Sequence, residues 1–72
     1  MSKCKLSKRE KEVLDLLSKG YTAKEVAVVL YISLDTVISH RISIKNKLKA
    51  RNTAHMISIS YQEGLLYHGQ VA

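Results

Sequence analysis

The stretch Tyr21–Leu48, YTAKEVAVVLYISLDTVISHRISIKNKL, decides the fold, because two helix-start signals follow closely upon one another within it. Thr22 with Glu25 fits a capping box, in which the hydroxyl takes an orphan backbone N–H and the carboxylate reaches back to the cap. Ala23, Val26, Ala27 and Leu30 then form the inward stripe of a short helix ending near Tyr31. The β-branched Val26, Val28 and Val29 would suit a strand, but the capping box and the helical spacing decide for a helix. Ser33 is the N-cap candidate of the next helix, which is predicted to run to about Lys49, with Asp35 at the positive end of its dipole. Only Tyr31, Ile32 and Ser33 lie between the two. That is the short connection of a helix-turn-helix, whose second helix enters the DNA major groove while the first crosses the backbone.

The second of these helices is basic and apolar at once. At about 100° per residue, Val37, Ile44 and Leu48 fall in one narrow arc, flanked by His40 and Arg41. An arc turned away from it holds Asp35, Ile38, Ile42, Lys45, Asn46 and Lys49. After Asp35 no acidic residue occurs until Glu63, while Arg41, Lys45, Lys47, Lys49 and Arg51 follow in quick succession. The chain as a whole carries a formal charge of +6 with a pI near 9.7, which points to a polyanion, either nucleic acid or an anionic membrane surface. The helix-turn-helix geometry favours double-stranded DNA. Lys45, Lys49 and Arg41 read as phosphate contacts or guanine readers; Asn46 pairs with adenine or is merely exposed. Ile38 and Ile42 either touch thymine methyl groups or form a patch for a protein partner. Ser33, Thr36, Lys47 and Arg51 are candidate backbone anchors at the margins. The candidate DNA-facing set is therefore Ser33, Thr36, Ile38, Ser39, Arg41, Ile42, Lys45, Asn46 and Lys49.

Outward from this centre, Ser7 with Glu10 makes another capping box, and Val13, Leu14 and Leu17 share one face of a helix from Lys8 to about Lys19, with Gly20 placed as a left-handed cap. Asn52 or Thr53 caps a further helix through about Glu63, with Ala54, Ile57, Tyr61 and Leu65 on one side and Met56, Ile59 and Ser60 on another, and Gly64 ends it. The expected class is all-α: a four-helix helix-turn-helix domain over residues 6–66, between a flexible terminus at 1–5 and a tail at 67–72. Seventy-two residues leave no room for a second domain, and without Phe, Trp or Pro the core must be aliphatic with help from tyrosines. Cys4 alone cannot build a disulfide framework or a cysteine-based zinc site, and the apolar run Val26–Ile32 is far shorter than the ~20 residues a bilayer requires. A cytoplasmic protein without membrane contact is expected. His40, His55 and His68 lie on separate elements with no carboxylate cluster, so no metal or other cofactor is expected, and Ser7 and Ser33 are caps rather than nucleophiles. Nothing in the chain suggests an enzyme: there is no nucleophile with its base, no paired carboxylates and no phosphate-cradling glycine loop.

LSKREKEVL, GYTAKEVAVVLYIS and DTVISHRISIKNKL resemble, in order and spacing, the LuxR/FixJ-type (GerE-like) helix-turn-helix domain of bacteria. The match runs from about Leu6 to Leu66 and includes Arg9, Glu10, Glu12, Val13, Leu14, Gly20, Glu25, Ile32, Ser33, Thr36, Val37, His40, Ile44, Lys47, Leu48, Asn52 and Gly64. The resemblance implies a winged-helix-like effector domain without a wing, the output end of a two-domain transcription regulator. It further implies that the third helix is the recognition helix, that the fourth makes a homodimer contact, here assigned to Met56, Ile59 and Tyr61, and that RNA polymerase is a further candidate partner. The chain departs from the pattern at Ile38, where a lysine is common, at Lys49 and Ala50, where Gly-Val is usual, and at Thr53 and His55, which replace Arg and Glu. The third helix is accordingly expected to run on or to close without a glycine. A rival function on the same fold is a protein-interaction module that docks a partner through Ile38, Ile42 and the fourth helix.

Overall fold

The computed structural model describes residues 6–65. Four helices follow in order, α1 (Lys8–Ser18), α2 (Ala23–Leu30), α3 (Leu34–Leu48) and α4 (Thr53–Gln62), with no strand among the described residues. The ends expected to be loose, 1–5 and 67–72, with Cys4 and His68, lie outside them.

Side chains start every helix. Ser7 Oγ accepts the Glu10 N–H at 3.1 Å while the Ser7 N–H donates to the Glu10 carboxylate at 2.9 Å. Thr22 and Glu25 repeat the exchange at 3.1 and 2.8 Å. Ser33 Oγ accepts from the Thr36 N–H at 3.0 Å, and Asn52 Oδ1 from the His55 N–H at 2.8 Å. His55 adds a bond just ahead of the cap, its Nδ1 accepting the Arg51 N–H at 3.0 Å.

Each helix closes in the same way. The N–H one residue beyond a left-handed residue returns to the last turn, from Tyr21 to Leu16, Ile32 to Ala27, Ala50 to Lys45 and Leu65 to Ser60, at 2.8 to 3.2 Å. This is the Schellman pattern, which satisfies carbonyls that the helix leaves open. Glycine fills the left-handed position at Gly20 (φ 98°) and Gly64 (φ 76°), as expected. Tyr31 (φ 58°) and Lys49 (φ 56°) fill it without being glycine, so α3 does close at Lys49 and does not run on. The chain turns by 112° between α2 and α3, within the range of a helix-turn-helix.

The core draws on all four helices: Leu6 with Val13 and Leu14, Val26 and Ala27, Val37, Ile44 and Leu48, and Met56. Met56 corrects the expected dimer contact, because its side chain is completely buried and has no surface to offer a second copy. Ser60 is buried beside it on the same face of α4, its Oγ donating to the Met56 carbonyl at 2.7 Å. That back-bond lets a hydroxyl sit inside, so α4 turns its Met56–Ser60 face inward and leaves Ala54, Ser58 and Gln62 exposed. Ile59 and Tyr61 are half-buried and lean on the core.

Met56→Ala should lower unfolding free energy by about 2–5 kcal/mol in urea melts, the cost of a core methionine truncated to alanine, without weakening any self-association of the folded chain. Tyr31→Gly should leave stability unchanged or raise it by up to about 1 kcal/mol, since the ring is 94% exposed and glycine relieves the left-handed backbone at some cost in chain entropy. A clear loss in the melt of that variant would mean that the ring packs.

Candidate nucleic-acid interface

The inward stripe of α3 is as the spacing predicts, with Val37 and Ile44 fully buried and Leu48 nearly so. Opposite it, Asp35, Ser39, Ile42, Asn46 and Lys49 are exposed, and their alternation of four- and three-residue steps makes one stripe along the helix. Ile42 stands in the middle of that stripe, 46% exposed. Ile38, Arg41 and Lys45 are half-buried along one flank, and His40 is half-buried on the other side of the inward stripe. Ser33 and Thr36 are exposed at the start of α3, with their hydroxyl oxygens 2.8 Å apart in a hydrogen bond. The fold thus gathers Asp35, Ser39, Ile42, Asn46 and Lys49 on one surface, sets Ile38, Arg41 and Lys45 at its edge, and keeps Ser33 and Thr36 at its head. Arg41, Lys45 and Lys49 form no ion pair among the described residues.

The rotation of α3 is held by a group whose second role the sequence reading missed. Glu10, nearly buried on α1, accepts hydrogen bonds from Ser43 Oγ at 2.7 Å and from Lys47 Nζ at 2.8 Å, besides the Ser7 N–H of its capping box. Burial alone would raise its pKa, but the bonds from Lys47, Ser7 and Ser43 and the lysine charge outweigh it and bring the carboxyl down from 4.5 to about 2. Lys47, read from sequence as a backbone anchor, therefore directs its ammonium to α1. The only local sign was its angular position, since Ser43 and Lys47 fall one turn apart on the flank opposite Arg41 and Lys45.

Elsewhere the surface offers little chemistry. Among the described residues no cluster of three or more His, Cys, Asp or Glu side chains is placed to hold a metal ion. A shallow apolar depression of about 320 Å³ lies on α2 between Tyr21, Lys24, Glu25, Val28 and Val29. No single helix among the described residues is long and apolar enough to cross a membrane.

With that geometry in place, comparison with known proteins decides the family. The model of the GerE domain, described as bacterial regulatory proteins of the luxR family, matches residues 4–60. The chain belongs to this family. Its all-α helix-turn-helix fold is that of the family's solved members: the transcription factor GerE superposes with a TM-score of 0.82 at 31% identity, over 86% of this chain and 92% of that one. VqmA of Vibrio cholerae, in a structure described as a complex with ligand and DNA, gives 0.83 at 31% identity over 90% of this LuxR-type domain and 29% of that chain. The oxygen regulatory protein NreC of Staphylococcus carnosus is 39% identical over 61 residues, and its counterpart in Staphylococcus aureus equally so. The luxR-family chain described here spans only 28% of the length of those NreC relatives.

The low Glu10 pKa has a consequence for this domain's stability. The unfolded chain binds a proton at Glu10 that the folded chain refuses between about pH 4.5 and 2, so the contribution is complete above that window and is lost as pH falls through it. Over pH 2–5 the wild type should lose up to about 3 kcal/mol more than Glu10→Gln in paired urea melts, the remaining carboxylates being common to both. Parallel pH profiles for the two chains would show that the carboxylate is not held as described.

Proposed function

We propose that the domain binds double-stranded DNA sequence-specifically, as the effector part of a bacterial transcription regulator acting in the cytoplasm, with α3 in the major groove. One observation carries this reading: the second helix of a 112° helix-turn-helix presents an exposed stripe bordered by Arg41, Lys45 and Lys49, none of them in an ion pair among the described residues. Exposed cations left without ion-pair partners are what a phosphate backbone neutralises. Membership of the luxR family and the likeness to VqmA, seen in complex with ligand and DNA, support it. Arg41, Lys45, Lys49 and Arg51 hold phosphates or base edges, Ser33 and Thr36 meet the backbone at the head of α3, and Ser39 and Asn46 lie where base edges pass. Lys47 serves Glu10.

Two copies pairing through α4 would place two recognition helices on one duplex. The exposed Ala54–Ser58–Gln62 stripe, with Tyr61 at its border, suits that contact in place of Met56. A second reading, a protein-docking module of the same fold, draws on α2 as well as on Ile38 and Ile42: Val28 is 73% exposed and lines a shallow apolar depression with Val29 and Tyr21. RNA polymerase or another protein is the kind of partner such a face would meet.

Binding measured by fluorescence anisotropy against salt decides between the two readings. With about four or five phosphates neutralised per domain, log K should fall against log salt with a slope of about −4, and Lys45→Ala with Lys49→Ala should flatten it by about 2. A flat salt dependence, or unchanged DNA affinity in the double variant, would overturn the DNA reading in favour of docking.

A further inference from the structure

We infer that Ile42 makes the domain a reader of the pyrimidine C5-methyl group, so that its site carries a thymine, or equally a 5-methylcytosine, opposite the middle of α3. The inference rests on the DNA reading above and adds a specificity determinant to it. Ile42 is the central member of the exposed stripe Asp35, Ser39, Ile42, Asn46 and Lys49, and at 46% exposure its apolar side chain projects from the helix rather than joining the core. Ile38, one turn earlier at the edge of the stripe, is half-buried and extends this apolar surface toward the helix start.

A side chain of this kind does two things in a major groove. It has no donor or acceptor, so any base edge placed under it loses water and gains no hydrogen bond. The adenine N7 and N6, the guanine N7 and O6 and the cytosine N4 all carry that penalty. Thymine alone among the ordinary bases offers a methyl group there, and the same carbon is present in 5-methylcytosine. The neighbours allow close approach at this point: the polar groups bordering Ile42 along the stripe, Ser39 and Asn46, are uncharged, and the cations Arg41 and Lys45 sit at the half-buried edge. Selection here combines attraction to the methyl with rejection of the other edges.

The test begins by selecting bound duplexes from random DNA with the wild-type chain, then replaces each thymine of the selected site singly by deoxyuridine, which removes the methyl and nothing else. Anisotropy titrations should show at least one position where deoxyuridine weakens binding about fourfold, the worth of one buried carbon. At that position a 5-methylcytosine–guanine pair should bind more tightly than a cytosine–guanine pair. Ile42→Ala, at an exposed position that leaves folding intact by circular dichroism, should bind the thymine and deoxyuridine duplexes alike there. A selected duplex indifferent to every deoxyuridine, or a deoxyuridine effect of full size retained in Ile42→Ala, overturns the methyl contact while leaving DNA binding in place. Failure to select any duplex overturns the DNA reading and this inference with it.

Discussion

The Glu10 carboxylate is the constraint on which the placement of everything else depends. It closes the cap of α1 through Ser7 and grips α3 through Ser43 and Lys47, so a single nearly buried group ties the start of one helix to the flank of another. Burying a charge is costly unless it is paired and hydrogen-bonded, and pairs of this kind seldom add much net stability over apolar packing. What they do contribute is discrimination between arrangements. Hydrophobic contacts of Val37, Ile44 and Leu48 would tolerate some rolling of α3, whereas two directional bonds from Ser43 and Lys47 to one carboxylate tolerate less. The roll of α3 is what points Ile42 and Lys49 outward, so the interface is set by an interaction on its opposite flank.

The helix ends add a second layer of the same restraint. All four are closed by a left-handed residue and a returning N–H. Between α2 and α3 that residue is Tyr31, and after α3 it is Lys49. A non-glycine side chain costs about 1–2 kcal/mol in this conformation but removes the freedom that glycine would give the unfolded chain. At Lys49 there is a further effect: the left-handed turn sets a cation at the end of the exposed stripe, where it also faces the negative pole of the helix.

What was legible in the sequence was local. Capping boxes at Ser7 and Thr22 depend on residues three apart, and the inward stripes of α1, α2 and α3 depend on periodicity, so both could be read directly and both stand in the structure. The link from Glu10 to Lys47 spans 37 residues, and no periodic pattern marks it, which is why a lysine in a basic run was read as an anchor for phosphate. On α4 the difficulty was chemical. Sidedness read from hydropathy does not anticipate that Ser60 enters the core by bonding to the Met56 carbonyl, and the dimer contact assigned to Met56 rested mainly on the family resemblance. The exposed stripe of α3 was nearly complete in the sequence, because an outward face follows once the inward one is known; the structure leaves Ile38 and Lys45 half-buried at its edge.

Charge is distributed unevenly along α3, and the asymmetry shapes how the domain would meet DNA. Asp35 lies in the first turn, Lys45 and Lys47 in the last and Lys49 at the C-cap, an order that stabilises the helix at both poles of its dipole. For a polyanion the two halves are not equivalent. Attraction would concentrate at the C-terminal half and the junction with α4, where Lys45, Lys49 and Arg51 stand, while the N-terminal part, with Asp35 and Ser39 facing out, carries no lysine or arginine before Arg41. In a helix-turn-helix it is the N-terminal part of the recognition helix that contacts base edges. A half that is uncharged or repelled adds little to binding at random sequence, where electrostatics supplies nearly all the affinity. Under the proposed DNA reading, its contribution would come only where the bases fit.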